Sequence, residues 1–202
     1  GVVGRTIDGD AARLDAGGTR LAGLRAALRL EGSRLSGDLR AQTPAGPLRA
    51  ALDVDRDRWR SLRVRRLDLR APRTRWTIDR PFVVSFVRGV EVRDVSLRGA
   101  DGARIEFGGR LVGRAVDAAA EVEKLSLAEL PPAIAPETLA LGGRLDLHAR
   151  LSGSIDRPQG SVEFEVRQGA LLGASGIAID GALQLDGEAA RATLAASRGD
   201  AR

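Results

Sequence analysis

Apolar and polar residues alternate one by one along most of this sequence. Because successive side chains of a β-strand point to opposite faces, such a pattern gives a strand one apolar face and one charged face. The alternating runs recur about every 10 to 15 residues, and turn-forming residues such as Glu31-Gly32-Ser33 and Asp186-Gly187 separate them. The pattern predicts an all-β fold of about 12 to 14 short strands. The apolar positions of the clearest runs are Leu24, Ala26, Leu28, Leu30, Leu35, Leu39, Leu48, Ala50, Leu52, Val54, Leu145, Leu147, Ala149, Leu151, Val162, Phe164 and Val166.

Two segments allow a helical interpretation. Residues 21–30 also fit a helical stripe through Leu21, Leu24 and Leu28, although Gly23 and the flanking strand patterns argue against a helix there. Residues 126–130 predict one short helical turn, because Ser126 and Glu129 have the spacing of a capping box and two prolines follow. We expect strand regions at 1–125 and 140–202, joined by a short helix and Pro-rich linker at 126–139, or one continuous domain.

One hexapeptide pattern occurs three times, at 64–69, 92–97 and 122–127. Each copy reads apolar, two polar, apolar, polar, apolar, so the two adjacent polar residues break the period of two. A β-bulge at that point would return the following apolar residues to the same face. The recurrence indicates stacked supersecondary units. The alternative is that these three breaks in the alternation arise by chance in a sequence rich in Leu, Arg and Asp.

Composition gives little support to an enzyme. The chain has no Cys and a single His, His148, which falls on the charged face of its strand. Acidic pairs two residues apart, such as Asp53 with Asp55 and Glu163 with Glu165, are interpreted as cross-strand partners of arginines. Gly108-Gly109 and Gly142-Gly143 precede neither a helix nor a Lys, so they indicate turns rather than phosphate loops. We therefore expect no catalytic residues, no metal and no cofactor.

Charge and hydropathy restrict the partners. The 32 basic residues are interleaved with 27 acidic ones for a net charge of only +5, whereas a nucleic-acid site would cluster them. No apolar run approaches the roughly 18 residues of a membrane span, and no leader precedes the strands, so we expect an internal segment of a longer protein. The densest basic region could meet lipid phosphates, although a solubilising surface is the simpler interpretation; it comprises Arg63, Arg65, Arg66, Arg70, Arg73, Arg75 and Arg80.

A sheet with one apolar face must bury that face against something. This sequence offers almost no helix, and its aromatic content of 3% leaves an aliphatic face of Leu, Val and Ala. An elongated, curled sheet would enclose an apolar groove, up to about 55 to 60 Å long for a dozen strands. A ~16-carbon acyl chain would gain on the order of 12 kcal/mol there, at about 0.8 kcal/mol per methylene. A closed β-sandwich or solenoid module of a larger envelope or surface protein is the alternative.

The expected groove-lining residues are the inward apolar positions of these strands. They are Leu28, Leu39, Leu48, Leu52, Val54, Val64, Leu67, Val92, Val95, Val122, Leu125, Leu145, Leu147, Leu151, Val162, Phe164, Val166, Leu183 and Leu185. The run Pro81–Val87 is apolar without alternation, which predicts either burial on both sides or exposure to a partner or lipid. Trp59 and Trp76 are expected to pack in a core or at a sheet edge.

Residues 142–160 carry a more specific pattern. They fit Gly-Gly-x-Leu-x-Leu-x-x-x-Leu-x-Gly-(Ser/Thr)-x-x-x-Pro-x-Gly, and the alternating strand with Val162, Phe164 and Val166 follows. This run, with the preceding 125–132, resembles the repeat of the TamB and AsmA-like proteins of diderm bacteria. The resemblance is clearest over 120–186 and is compositional before residue 60.

The resemblance implies a curled, taco-like sheet with a hydrophobic groove in the periplasm. Proteins of this kind are bridge-like lipid transfer proteins that carry phospholipid acyl chains between the inner and outer membranes in outer-membrane biogenesis. It also implies an inner-membrane anchor and an Omp85-type barrel partner, both involving parts of the protein that we do not recognise in this chain. On this basis the expected function is that of a non-catalytic lipid conduit without nucleic-acid partners.

Overall fold

The structure is a computed structural model of the 202-residue chain, and it describes residues 5–16, 19–43, 46–55, 60–71, 73–130, 141–171 and 174–198. The chain forms two compact units, Gly1–Asp101 and Gly102–Arg202. Almost all described residues lie in antiparallel strands, which confirms the predicted all-β fold. Most strands have 9 to 15 residues and are longer than expected.

The first unit has eight strands. They are β1 (Arg5–Ala16), β2 (Thr19–Glu31), β3 (Arg34–Thr43), β4 (Gly46–Asp55), β5 (Ser61–Arg70), β6 (Arg75–Ile78), β7 (Phe82–Ser85) and β8 (Val90–Gly99). Strands β1 to β5 pair in sequence order. The register places Leu28 opposite Gly37, and Gly37 opposite Leu52, so apolar residues face apolar residues across the sheet. The helical alternative for 21–30 is wrong, because those residues form most of β2.

Strands β6 and β7 share one position in the sheet. Asp68–Arg70 of β5 pair with β6, whereas Ser61–Val64 of the same strand pair with β7. Strand β8 divides between the same two partners. The interruption falls just before β7 at Pro81, which has no N–H to donate to the ladder.

The second unit has six strands and one short helix. They are β9 (Arg104–Val112), β10 (Ala115–Ser126), a 3-10 helix (Leu127–Glu129), β11 (Gly142–Ser154), β12 (Arg157–Leu171), β13 (Ala174–Asp186) and β14 (Ala189–Arg198). Each strand pairs with the next in sequence. The helix confirms the predicted turn at 126–130, and residues 131–139 of the predicted linker lie outside the described residues. Strands β10 and β11, on either side of that linker, pair directly.

The repeated hexapeptides coincide with irregularities of the strand backbone. In β10, Val122 faces Leu147 and Leu125 faces Leu145, so two residues of β10 oppose one of β11. Lys124 in this bulge has a φ of 54°, and its N–H donates to Asp146 Oδ1 at 2.7 Å. The register of β4 and β5 shifts beside Val64, and Asp94 in β8 has a φ of 52°. In β5 and β8 the irregularity falls where the strand changes partner between β7 and β6.

A further bulge was not anticipated. In β12, Val166 faces Ile179 and Gly169 faces Ile177, and Gln168 between them has a φ of 53°.

The predicted turn at Gly108-Gly109 is wrong, because both residues lie inside β9. The turn predicted at Gly142-Gly143 is also wrong, because these two residues begin β11; Gly143 has a φ of 109°, and a Cβ there would lie 2.8 Å from the Arg167 carbonyl oxygen. These glycines permit close approach of strands rather than reversal of the chain.

The buried core is small. Among the described residues only eight apolar side chains are buried, and four of them are alanines; the eight are Ala41, Ala50, Ala51, Val64, Trp76, Val95, Ala103 and Val166. The chain exposes 13916 Å². A compact protein of 21.3 kDa exposes about 9,100 Å², and two compact halves would together expose about 11,000 Å². Most of the other described apolar residues in the strands of both units are only half-buried or exposed. Trp76 is buried as expected, and Trp59 lies outside the described residues.

The bulge in β10 can be tested at Lys124. A β-branched side chain is strained at a positive φ, so we expect Lys124→Val to lower the free energy of unfolding by about 1 to 2 kcal/mol. Lys124→Gly should leave it unchanged or higher, because glycine adopts this conformation without strain. Urea unfolding measures both, with Glu123→Val as the control in the same bulge. A Lys124→Val chain as stable as the unmodified one would contradict the assigned bulge.

Candidate functional site

The candidate site in each unit is the side of the sheet that carries the alternating apolar residues, which we call the apolar face. In the second unit one row crosses all six strands; it consists of Ile105, Val122, Leu147, Phe164, Gly181 and Leu194. Neighbouring strands lie about 4.8 Å apart, so this row is roughly 24 Å long. No charged residue interrupts it.

Parallel rows flank this one. Phe107, Ala120, Ala149, Val162, Leu183 and Ala192 form the next row, in the same strand order. On the other side, beyond the bulge in β10 and before the bulge in β12, Leu125 faces Leu145, Leu145 faces Val166, and Val166 faces Ile179. The bulge in β10 therefore keeps Leu125 on the same face as Val122.

The first unit has an equivalent face. One of its rows crosses six strand positions and consists of Leu30, Leu35, Val54, Leu62, Val84 and Val92. All six side chains are half-buried. A second row joins Leu28, Gly37, Leu52, Val64 and Phe82.

The nineteen residues expected to line a groove fall on these two faces. Leu28, Leu39, Leu48, Leu52, Val54, Val64, Leu67, Val92 and Val95 lie on the apolar face of the first unit, and the other ten lie on that of the second. Val64, Val95 and Val166 are buried, and the remaining sixteen are half-buried. The sequence therefore identified the face, whereas closure of that face into a groove remains a prediction.

Small residues on the apolar face make room for large neighbours. A Cβ on Gly181 would lie 2.2 Å from the Phe164 ring, so the ring lies across the glycine of the next strand. Leu28 lies in the same way against Gly37, where a Cβ would be 2.7 Å from one of its methyl groups. The face is consequently smoother than its sequence suggests, because large side chains fill the gaps left by small ones.

The opposite side of each sheet carries the charges and is called the charged face. Ion pairs cross between strands, as Arg65 with Asp53 at 3.0 Å and Arg98 with Asp79 at 2.9 Å. The expectation for Asp53 is confirmed, whereas Glu165 pairs with Arg167 of its own strand rather than across the sheet. That guanidinium donates hydrogen bonds to Glu165 and lowers the pKa of its carboxyl. The side chain of Asp55 lies outside what the structure describes.

His148 lies on the charged face and is exposed, as expected. Its Nδ1 atom is 3.7 Å from Glu121 Oε1. Within the described residues, His, Asp and Glu side chains form no group of three that could hold a metal ion. No described helix has the length and apolar character needed to cross a membrane.

Two open depressions lie against the charged faces. One, of about 500 Å³ in the second unit, is lined mainly by Asp146, His148, Glu163, Glu165, Asp180 and Thr193. The other, of about 460 Å³ in the first unit, is lined by Arg63, Arg80, Val83, Ser85, Glu91 and Arg93 among others. Most residues lining either depression lie on the charged face, although Phe164, Gly181 and Leu194 of the central apolar row also line the first one.

The pair of Asp68 and Arg75 gives a pH-dependent test of the charged face. Arg75 Nε donates to Asp68 Oδ1 at 2.9 Å, and this hydrogen bond lowers the pKa of Asp68, whose side chain is only 14% exposed. The ionised form is favoured in the folded state. The pair therefore stabilises the fold above the unfolded aspartate pKa of about 3.9, and this stability is lost as the pH falls through the lowered pKa.

We expect Arg75→Gln to lower the unfolding free energy at neutral pH and to have progressively less effect below about pH 3.9. Chemical denaturation across that range measures the change. Arg110→Gln is the control, because its pair with Asp117 is more than half exposed on both sides and should contribute little. A constant difference between Arg75→Gln and the unmodified chain at every pH would contradict the role of Asp68.

Comparisons with protein-family models, with curated proteins and with solved structures found no match for this chain.

Proposed function

We propose that this chain is a non-catalytic lipid-conduit segment that carries phospholipid acyl chains along its apolar faces. The observation that supports this most directly is the row of apolar residues that crosses six strand positions in each unit. All six side chains of the row in the first unit are half-buried, whereas the row in the second unit ends at Leu194, which is 71% exposed. The described strands of each unit belong to one hydrogen-bonded sheet, and the described helix is a single turn, which leaves an apolar face available to a ligand.

The chemistry of the face fits a fluid aliphatic ligand. Its side chains are mostly Leu, Val and Ala, and they offer no hydrogen-bonding group that would fix the orientation of a polar ligand. A ~16-carbon chain that lay on an open face would lose roughly half of its contact with water, which is worth about 6 kcal/mol. A sheet curled around the chain would recover on the order of 12 kcal/mol, so lipid favours curling.

The charged face suits the same role. Its ion pairs are mostly exposed and individually weak, so they keep one side of the sheet hydrated without tying it to a partner surface. A lipid path through an aqueous compartment needs both properties, one apolar side for the acyl chain and one hydrated side for solubility. The alternating strands supply them together.

The resemblance of residues 142–160 to the TamB and AsmA-like repeat supports the same proposal and extends it. On that basis we place the chain in the periplasm of a diderm bacterium, within a protein that is anchored in the inner membrane and contacts an Omp85-type barrel through other parts. The alternative, a structural or interaction module with a closed core, requires a cover for the apolar faces. The small number of buried apolar side chains favours the conduit.

The proposal predicts that the purified chain binds phospholipid, and that Leu147→Glu abolishes this binding while the sheet still forms. Leu147 is half-buried, so a carboxylate at this position can reach water, but it interrupts the central apolar row. Native mass spectrometry and lipid extraction measure bound lipid, and circular dichroism monitors the fold. His148→Glu is the matched control, because it adds the same charge to the next residue on the charged face.

Two results would count against the proposal. A chain that takes up no phospholipid during purification or reconstitution would contradict it, as would a Leu147→Glu chain that retains its lipid. Unfolding of Leu147→Glu, with His148→Glu still folded, would instead support the closed-core alternative.

A further inference from the structure

The turn between β7 and β8 concentrates exposed apolar side chains. Of the nine large apolar residues that are strongly exposed among the described residues, four lie between positions 83 and 90. Phe86 is 48% exposed and Val87 is 56% exposed, and Val83 and Val90 flank them. We call these four residues the β7–β8 patch. They lie at one end of the sheet of the first unit and do not belong to the six-strand apolar row.

The backbone holds this patch outward. The Phe86 N–H donates to the Arg60 carbonyl oxygen at 2.7 Å, which ties the end of β7 to the start of β5. Gly89, with a φ of 117°, completes the turn in a conformation that other residues adopt only with strain. Phe86 and Val87 are consecutive, yet both are exposed, because the chain has left the strand at this point and no longer alternates.

Positive charge surrounds the patch. Five exposed arginines lie within it or beside it in the fold; they are Arg60, Arg63, Arg80, Arg88 and Arg93. The described carboxylates of this region are those of Glu91 and Asp94, together with Asp53 opposite Arg63 and Asp79 next to Arg80, and the last two are paired with Arg65 and Arg98. Arg93 is paired with Glu91 at 2.5 Å. In the described part of the chain Arg63 and Arg80 make no salt bridge, and both line the open depression with Val83.

We propose that the β7–β8 patch docks on the surface of an anionic lipid bilayer. Phe86 and Val87 enter the boundary between headgroups and acyl chains, and the surrounding guanidinium groups contact lipid phosphates. Apolar side chains at the tip with arginines behind them match the order of layers that such a surface presents, with phosphates outside and acyl chains within. Guanidinium groups suit this contact because they bind phosphate oxygens in a bidentate manner.

The excess of positive charge around the β7–β8 patch favours an anionic bilayer over a second protein or a free phosphate as the bound partner. A second protein with an apolar patch would leave Arg63 and Arg80 without counter-charges, whereas an anionic bilayer supplies phosphates on every side. A free phosphate would leave Phe86 and Val87 in water. The proposal does not depend on the lipid-conduit function, because it uses the end of the sheet rather than the apolar face.

The test uses the absence of cysteine from this chain. Val87→Cys is labelled with the polarity-sensitive fluorophore NBD, and Ile155→Cys is the matched control. Ile155 is 54% exposed, also lies in a tight turn, and is followed by Asp156, which is paired with Arg114. Vesicles of phosphatidylcholine alone are compared with vesicles that also contain phosphatidylglycerol. We expect a blue shift and brighter emission at position 87 only, with the anionic vesicles only, and weaker binding at higher salt.

A second set of variants, tested by vesicle co-sedimentation, separates the contribution of the apolar side chains to vesicle binding from that of the arginines. Phe86→Ser combined with Val87→Ser should lower the partition coefficient by about tenfold or more, since both side chains lose their apolar burial. Arg63→Gln combined with Arg80→Gln should lower binding to anionic vesicles and reduce its salt dependence. The chain with Phe86→Ser and Val87→Ser should keep the phospholipid that lipid extraction recovers, which separates this proposal from the lipid-conduit function.

Three outcomes would overturn the proposal. They are equal binding to neutral and anionic vesicles, an unshifted spectrum at position 87 in the presence of anionic vesicles, and an equal shift at position 155. The last outcome would show adsorption of the whole chain without a defined docking site.

Discussion

Backbone hydrogen bonds between neighbouring antiparallel strands are the interaction on which the rest of this structure depends. Strands β11 and β12 pair from Ser154 and Arg157 to Gly142 and Ala170, and the other long strands pair over similar lengths. Each such bond contributes only about 0.5 to 1.5 kcal/mol net, and a cross-strand side-chain pair adds about 0.2 to 1 kcal/mol. Because few of the described apolar side chains are buried, these many small contributions from neighbouring strands stabilise the fold in place of a central hydrophobic core.

A fold held by ladders depends on register, and the bulges preserve it. A shift by one residue would exchange the apolar and charged faces of a strand. In β10 the extra residue at the Lys124 bulge returns Leu125 to the face occupied by Val122. The bulge in β12 does the same for the residues after Val166. Without these bulges the residues that follow them, such as Leu125, would lie on the charged face.

The two faces of the sheet differ in their chemistry. Charged side chains lie on one side, and several of them form ion pairs that are mostly exposed. The side chains of the described apolar rows are hydrocarbon. A surface of this kind can solvate an aliphatic chain, and the lipid-conduit proposal follows from that combination.

Much of this architecture was predictable from the sequence. Alternation identified the strands and their two faces, and the break in alternation at 64–69, 92–97 and 122–127 located three irregularities. The bulge at Gln168 was missed because Gly169 stands where the pattern would show an apolar residue. Gly108-Gly109 was assigned to a turn because a sequence does not show that Gly109 must approach Ala118 closely on the next strand.

The sequence by itself determined which side chains share a face, because the period of two is a property of the strand backbone. Only the tertiary structure decided which strands pair, where β5 and β8 exchange β7 for β6, and how far the apolar faces are covered. It also decided that Phe86 and Val87 point outward, because this depends on the hydrogen bond to Arg60 and on the turn at Gly89. Pairing and coverage depend on residues distant in the chain, and local periodicity carries no information about them.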